Sequence, residues 1–179
     1  MSKTFSLAAL ALFGLLAVGC CPTTKLNVTV KLDDALRTQL GDKKIRVDLI
    51  GLTPTQQERW QSYSMTKYWE ANDDMRKSIA GIAKEMTFDP TKAEGQTLAK
   101  NDPIWDKWLA GANDKDKPSL FIMVQLPGLW SAADDLPGSQ DKRRLILPLG
   151  ACRWDSTNVT VTVQSTGMTP VPQPKRDKK

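Results

Sequence analysis

The sequence predicts a mainly β protein: an antiparallel β-sandwich with short helical insertions. Three observations point there. Residues 25–32, 44–50 and 158–164 alternate apolar and polar, the period of a strand with one buried face. The run Ser119–Leu126 is almost wholly apolar and is closed on both sides by proline, as for a strand buried on both faces. Strands and helical stretches do not alternate regularly, which argues against a parallel βα architecture.

Taken in order, Leu26, Val28, Val30 and Leu32 share one face of the first strand. Asp33, Asp34 and Gly41-Asp42 supply turn chemistry before Ile45, Val47 and Leu49 repeat the pattern, so these two strands are expected to pair as neighbours. From Thr53 the period changes. Thr55-Gln-Gln-Glu58 fits a capping box ahead of Trp60, and Ser64–Trp69 opens a second short helix. Asn72, Asp73 and Asp74 interrupt it, and Met75, Ile79 and Ile82 continue at mixed helical spacing. Lys84–Asp89 reads as a strand ending at Pro90. Asp102 and Pro103 start a helix whose stripe is Ile104, Trp105, Trp108 and Leu109, with Gly111 as its stop. After the buried strand, Pro127 to Lys142 is a long loop with two Pro-Gly pairs. Arg143–Leu149 returns as a hairpin partner, with Pro148 marking a strand end or a sheet edge. Residues 158–164 close a fold of about six strands, each presenting one alternating face to the core.

The N-terminus carries an address. Lys3 precedes an apolar run from Leu7 to Val18, the layout of an export signal, and the run is shorter than the roughly 20 residues of a membrane-spanning helix. Ala17-Val18-Gly19-Cys20 resembles the lipobox of bacterial lipoproteins, although Ala17 stands where that family usually has leucine. The resemblance implies cleavage before Cys20 and acyl chains on it, which anchor the mature chain to a membrane. The expected organisation is a signal peptide over 1–19, an acylated tether over 20–25, the sandwich over 26–166 and a disordered Pro-rich basic tail over 167–179.

Composition narrows the function. The chain has no histidine, which removes the commonest general base and zinc ligand. No Walker loop, dinucleotide-binding glycine turn, CxxC pair or GxSxG elbow occurs, so no catalytic residue, metal site or cofactor is expected. The net charge of +5 is concentrated at the end, where Lys175, Arg176, Lys178 and Lys179 surround Asp177 and leave the body near neutral. That distribution does not suit nucleic acid. The tail is read either as a solvated end or as a weak contact with anionic lipid or cell wall. Cys21 and Cys152 are open to two fates. They can pair in an oxidising compartment, or Cys152 can remain a free, buried, small apolar residue; the position of Cys21 beside the anchor favours the second.

Six tryptophans, at 60, 69, 105, 108, 130 and 154, are many for this length. Trp105 and Trp108 lie on a helix stripe and belong to the core, whereas Trp60, Tyr68 and Trp69 tie the helical insertion to the sheet. Leu129 and Trp130 sit in the Pro/Gly loop. They either dock a protein partner or fold back over the sandwich end, and the two readings stand equal. The paired acids Asp33/Asp34, Asp73/Asp74 and Asp134/Asp135 read as solvated turns, and Lys142-Arg143-Arg144 as the charged guard of an edge strand.

The order of these features is similar to the outer-membrane lipoprotein of type VI secretion systems, the TssJ family. The matching stretches are Lys44–Leu52, Trp60–Trp69, Leu120–Leu126, Leu145–Leu149, Arg153-Trp154 and Val159–Val163. The resemblance implies a transthyretin- or immunoglobulin-like sandwich that recruits a larger inner-membrane partner through a loop. The expectation is therefore a lipid-anchored envelope protein, not an enzyme, that docks protein partners from the outer membrane facing the periplasm. The alternative is an anchored module that binds glycan or a small molecule on exposed tryptophans.

Overall fold

A computed structural model of the chain describes residues 21–110, 117–129, 131, 135 and 141–176. It consists of two four-stranded sheets with short helices: β1 (Asn27–Leu32), α1 (Asp34–Leu40), β2 (Ile45–Leu52), α2 (Pro54–Ser62), α3 (Met65–Tyr68), α4 (Asp74–Ser78), β3 (Lys84–Phe88), β4 (Gln96–Leu98), α5 (Ile104–Leu109), β5 (Ser119–Val124), β6 (Arg144–Pro148), β7 (Asn158–Gln164) and β8 (Gly167–Val171). One sheet runs β4-β1-β7-β8 and the other β3-β2-β5-β6. The mainly β sandwich follows from the patterns described above, with one refinement. β1 and β7 are parallel, whereas every other pair is antiparallel.

The expected pairing of β1 with β2 is incorrect. Asp33 accepts a hydrogen bond from the Leu36 amide and caps α1, so the chain turns helical between the two strands. Leu36 and Leu40, one turn apart, bury into the core and carry the chain from one sheet to the other. β1 instead lies between β4 and β7, with Val28, Val30 and Leu32 beside Val159, Val161 and Val163.

Alternation in β2 explains how the second sheet is covered. Asp48 bonds to Tyr68 and Arg76 of the helical insertion, so its face of β2 receives α3 and α4. Val47 and Leu49 therefore point the other way, towards the first sheet. β5, paired with β2 from Val47↔Val124 to Leu52↔Ser119, is buried along its whole length because helices cover one face and the first sheet the other. Gly51 marks where α5 closes in. A Cβ there would lie 2.7 Å from Cβ of Trp108, so only glycine admits the tryptophan.

Three further expectations need correction. The capping box of α2 is formed by Thr53 and Gln56, with Pro54 in the first turn; the side-chain oxygen of Gln56 accepts from the Thr53 amide, and Thr55 lies inside the helix. The tail does not begin at 167, because Gly167–Val171 forms β8 against β7, from Gln164↔Gly167 to Thr160↔Val171. Pro170 is tolerated there because β8 is an edge strand. Short β4 was also not foreseen, having only three residues and no alternation long enough to register.

Residues 21–25 are not a free tether. Thr23 bridges to Gly150, the Ala151 amide donates to the Pro22 carbonyl, and the Thr24 amide donates to the Leu149 carbonyl. These bonds bring Cys21 to Cys152, in a short 3-10 turn over Ala151–Arg153, and the two form a disulfide with Cα atoms 5.5 Å apart. Cys152 is exposed, not a buried free thiol as favoured from the sequence. Gly150 makes room for the pair, since a Cβ on it would lie 2.7 Å from the Cys21 sulfur.

Two outcomes follow for stability. Gly51→Ala is expected to cost about 1–3 kcal/mol by overpacking, with that cost vanishing in a Trp108→Gly background, which removes the Cβ that the added methyl meets; urea midpoints of the four proteins measure the coupling, and additive effects would refute the steric account. Replacing both Cys21 and Cys152 by serine is expected to destabilise the domain by about 2–5 kcal/mol, and a midpoint indifferent to reductant would count against the bond.

Candidate docking site

The loop that follows β5 starts as a tight turn. The Leu129 amide donates to the Leu126 carbonyl at 3.2 Å, and Gly128 takes φ +72°, a conformation that suits glycine. Pro127 and Gly128 are exposed, whereas Leu129 is half-buried and packs against the core. Trp130 lies outside the described residues, so its role stays an expectation.

Asp135 within this loop and Asp141 at its C-terminal end are tied to the helical insertion through Arg143. The guanidinium is 1% exposed and forks onto Asp141, with Nε–Oδ1 at 3.0 Å and Nη2–Oδ2 at 2.7 Å. Its Nη2 also reaches Asp135 at 3.0 Å, and Nη1 donates to Thr66 Oγ1 at 3.2 Å. Asp135 in turn accepts from the Met65 amide at 2.9 Å and from Ser64 Oγ at 2.6 Å, so it satisfies the start of α3. Arg144 sends Nη1 to the Trp60 and Tyr63 carbonyls, and burial pushes its pKa down against the pull of Asp141 and Asp135. The basic trio is therefore not a solvated edge guard. Arg143 and Arg144 are internal ties, although β6 is indeed an edge strand.

The charge state of the cluster is also set. Burial works against ionised Asp135, but hydrogen bonds from Ser64 and Thr66 and the Arg143 cation outweigh it and hold the carboxyl below its ordinary range. A carboxylate pinned in this way serves as a structural acceptor, unlike a general acid tuned towards neutrality.

A second cluster backs the first. Tyr68 Oη and Arg76 Nε both donate to Asp48 Oδ2, at 2.7 and 3.0 Å. Burial, followed by the negative charge of Asp48, pushes the Tyr68 phenol far up. Arg76 lies 4.9 Å from the centre of the Trp69 ring and Arg46 5.7 Å, so two cations flank one indole. Tyr63 donates to Asp73 and is pushed up to about 12, by burial first and then by that bond. Asp73 also accepts from the Arg76 amide and caps α4. Asp33, Asp73 and Asp135 thus act as helix caps or buried acceptors; their reading as solvated turns did not anticipate this. Asp34 and Asp74 are exposed.

Between the clusters runs a groove of about 180 Å³ lined by Thr66, Trp69, Gln125, Leu126, Pro127 and Arg143. Arg143 and Trp69 on its walls are each held from several sides, and its rim is the start of the 127–129 turn. The tryptophans at 60, 105, 108 and 154 are buried and Trp69 is partly buried, so none of them stands as an open stacking platform. Sequence reasoning did not find the roles of Asp135, Arg143 or Asp48. Asp48 falls in the polar phase of the β2 alternation, together with Arg46, so its local pattern reads as solvent-facing and gave no signal of its burial.

No protein-family model and no curated protein matches the chain. Among solved structures, Lip from Serratia marcescens, described as a membrane-bound component of the type VI secretion system, superposes with a TM-score of 0.48 at 11% identity over 87% of this chain and 99% of that one. The type VI secretion lipoprotein TssJ1 from Pseudomonas aeruginosa gives 0.47 at 12% identity, over 87% of this chain and 100% of that one. Scores at this level carry no argument about activity or partners.

Asp135 sets a pH dependence. Its folded pKa is depressed, so its contribution is complete above the unfolded value of about 3.9 and is lost as pH falls through the lower folded value. Asp135→Asn should therefore unfold more readily than wild type at pH 7, by about 1–3 kcal/mol, with the gap narrowing below pH 4. Denaturation midpoints at pH 7 and pH 3 test this; an equal gap at both would contradict it.

Proposed function

We propose that the chain is a lipid-anchored cell-envelope subunit that docks protein partners. In this reading Cys20 carries the acyl chains, the sandwich faces the periplasm from the outer membrane, and the loop beginning at Pro127 presents Leu129 and Trp130 to a partner in an envelope assembly. The observation that carries the proposal is the disulfide from Cys21 to Cys152. Disulfides persist in oxidising compartments, so the bond supports export independently of the signal-like first 19 residues. It also begins one residue after the lipobox cysteine, which sets the folded domain directly against its anchor.

The tryptophans bear on the alternative. A glycan-binding module needs exposed indoles side by side, and the five described ones are buried or partly buried. An apolar groove beside a Pro/Gly turn suits a protein segment better. The finer assignment, to the outer-membrane lipoprotein of a type VI secretion system, is supported by the order of lipobox, early strands, Trp/Tyr-rich helical insertion and Arg153-Trp154 before the late strand.

Mass spectrometry of the mature N-terminus should find an acylated Cys20, and Cys20→Ser should move the protein out of the membrane fraction. A mature form without lipid would defeat the anchor. For docking, affinity capture from detergent-solubilised envelopes should lose the specific partner at least about tenfold, the equivalent of 1.4 kcal/mol, when Leu129→Asp is combined with Trp130→Asp. Undiminished capture by a correctly folded variant would show that the loop is not the contact.

A further inference from the structure

A slot of about 520 Å³ opens between α2, α4 and α5 and the end of β2. It shares no lining residue with the groove beside Leu129. Its apolar lining comes from Trp60 of α2, Met75 just inside α4, Ile79 at its end and Trp108 of α5, each no more than 6% exposed. The Trp108 indole is held in place, because its Nε1 donates to the Ile82 carbonyl at 2.6 Å. Ile82 also lines the slot and is 42% exposed, one of two large apolar residues left open to water among those described. Two cations complete the lining, Arg59 of α2 and Lys107 of α5, both exposed. Neither forms a salt bridge with any described residue, although Arg59 acts on the nearby Tyr63 phenol. The acids on the same helices, Glu58, Asp74 and Asp106, do not line the slot, and Asp106 is held by Lys25. Among the described residues the lining therefore carries two positive charges and no negative one.

We propose that this slot binds a single-chain fatty carboxylate, with the hydrocarbon between Trp60, Ile79 and Trp108 and the carboxylate on Arg59 and Lys107. The volume falls within the range of sites for small organic ligands, about 300–1,000 Å³. Uncompensated cations beside an apolar lining call for a ligand that is apolar along its body and anionic at one end, and a fatty acid is ionised at neutral pH. The burial of the lining favours a chain over a protein surface. Trp60, Met75, Ile79 and Trp108 are almost closed off from outside, so a broad partner face would meet only the rim, whereas a thin flexible chain can enter. Contact with the walls supplies affinity through the apolar area removed from water. The two cations supply charge-assisted bonds that select the anionic head. Arg59 can take both carboxylate oxygens on its planar fork, and Lys107 adds a point charge. The site does not depend on whether Cys20 is acylated.

The test uses the chain from residue 21 onward in its oxidised form, which holds every strand and helix described above together with the disulfide. Dodecanoate brominated at its terminal carbon is titrated below its micelle concentration while tryptophan fluorescence is followed. Bromine quenches the indoles it touches, and Trp60 and Trp108 line the slot. Quenching should saturate, and unbrominated dodecanoate should reverse it. Dodecyl maltoside, which is neutral, and dodecyltrimethylammonium, which is cationic, should need at least about tenfold higher concentrations to do so. Combining Arg59→Gln with Lys107→Gln should weaken dodecanoate binding at least about tenfold. Combining Arg59→Glu with Lys107→Glu should turn the preference towards dodecyltrimethylammonium. Both positions are exposed, so the urea midpoints should match that of the parent. Quenching that does not saturate, equal competition by the three amphiphiles, or dodecanoate affinity indifferent to the loss of both cations would overturn the proposal. So would an acidic peptide that displaces the brominated acid at lower concentration than dodecanoate does, since the slot would then belong to a protein partner.

Discussion

A guanidinium buried to 1% exposure is the constraint around which the docking region is organised. Taking Arg143 out of water is costly unless its donors are paired, and a charge left unpaired in the interior would cost several kcal/mol. Asp141, Asp135 and Thr66 meet that demand from three regions of the chain: the approach to β6, the middle of the long loop and α3. Neither Asp135 nor Asp141 can part from Arg143 without weakening the compensation of a buried ion. The same pairing orients Asp135 to accept from the α3 amides. One residue thereby fixes the edge strand, the loop and a four-residue helix too short to be stable by itself.

Asp48 has a related role in the neighbouring cluster. It sits at 1% exposure on the inner strand β2, in the polar phase of the alternation, on a face that the helical insertion covers. Tyr68 and Arg76 satisfy one oxygen and draw α3 and α4 onto the sheet, while Arg76 continues across the face of Trp69. Apolar burial supplies the area, and the directional bonds select one docking of the insertion among many of similar area. The groove beside Leu129 inherits its shape from both clusters.

The strands with clean alternation were legible from their spacing, as was the buried run at 119–126, because period and burial act through local sequence. The sheet order was not. Nothing within residues 25–50 reveals that Leu36 and Leu40 carry the chain across to the second sheet, since that depends on partners far along the chain. β8 was hidden by its proline, which an edge tolerates and a central strand does not. The site was the least legible region. Acids that cap helices and acids that lie in open turns share the same local signature of Asp beside small or polar residues. For Asp135 it is a tertiary fact, its pairing with buried Arg143, that separates the two. The disulfide was misjudged for a similar reason: the ladder from Cys21 to Thr24 against Leu149 to Ala151 turns a presumed tether into a built element of the fold.

The parallel pairing of β1 with β7 has a consequence for how the protein comes into being. β1 is the first strand to emerge in any vectorial passage of the chain, yet Asn27 pairs with Asn158 and Leu32 with Val163, near the opposite end. The first sheet cannot knit together until almost all of the polypeptide has arrived, and contacts spanning such sequence distances form slowly. During that interval β1, with its apolar row of Val28, Val30 and Leu32, waits without its long neighbour and is a natural client for chaperones that shield nascent strands.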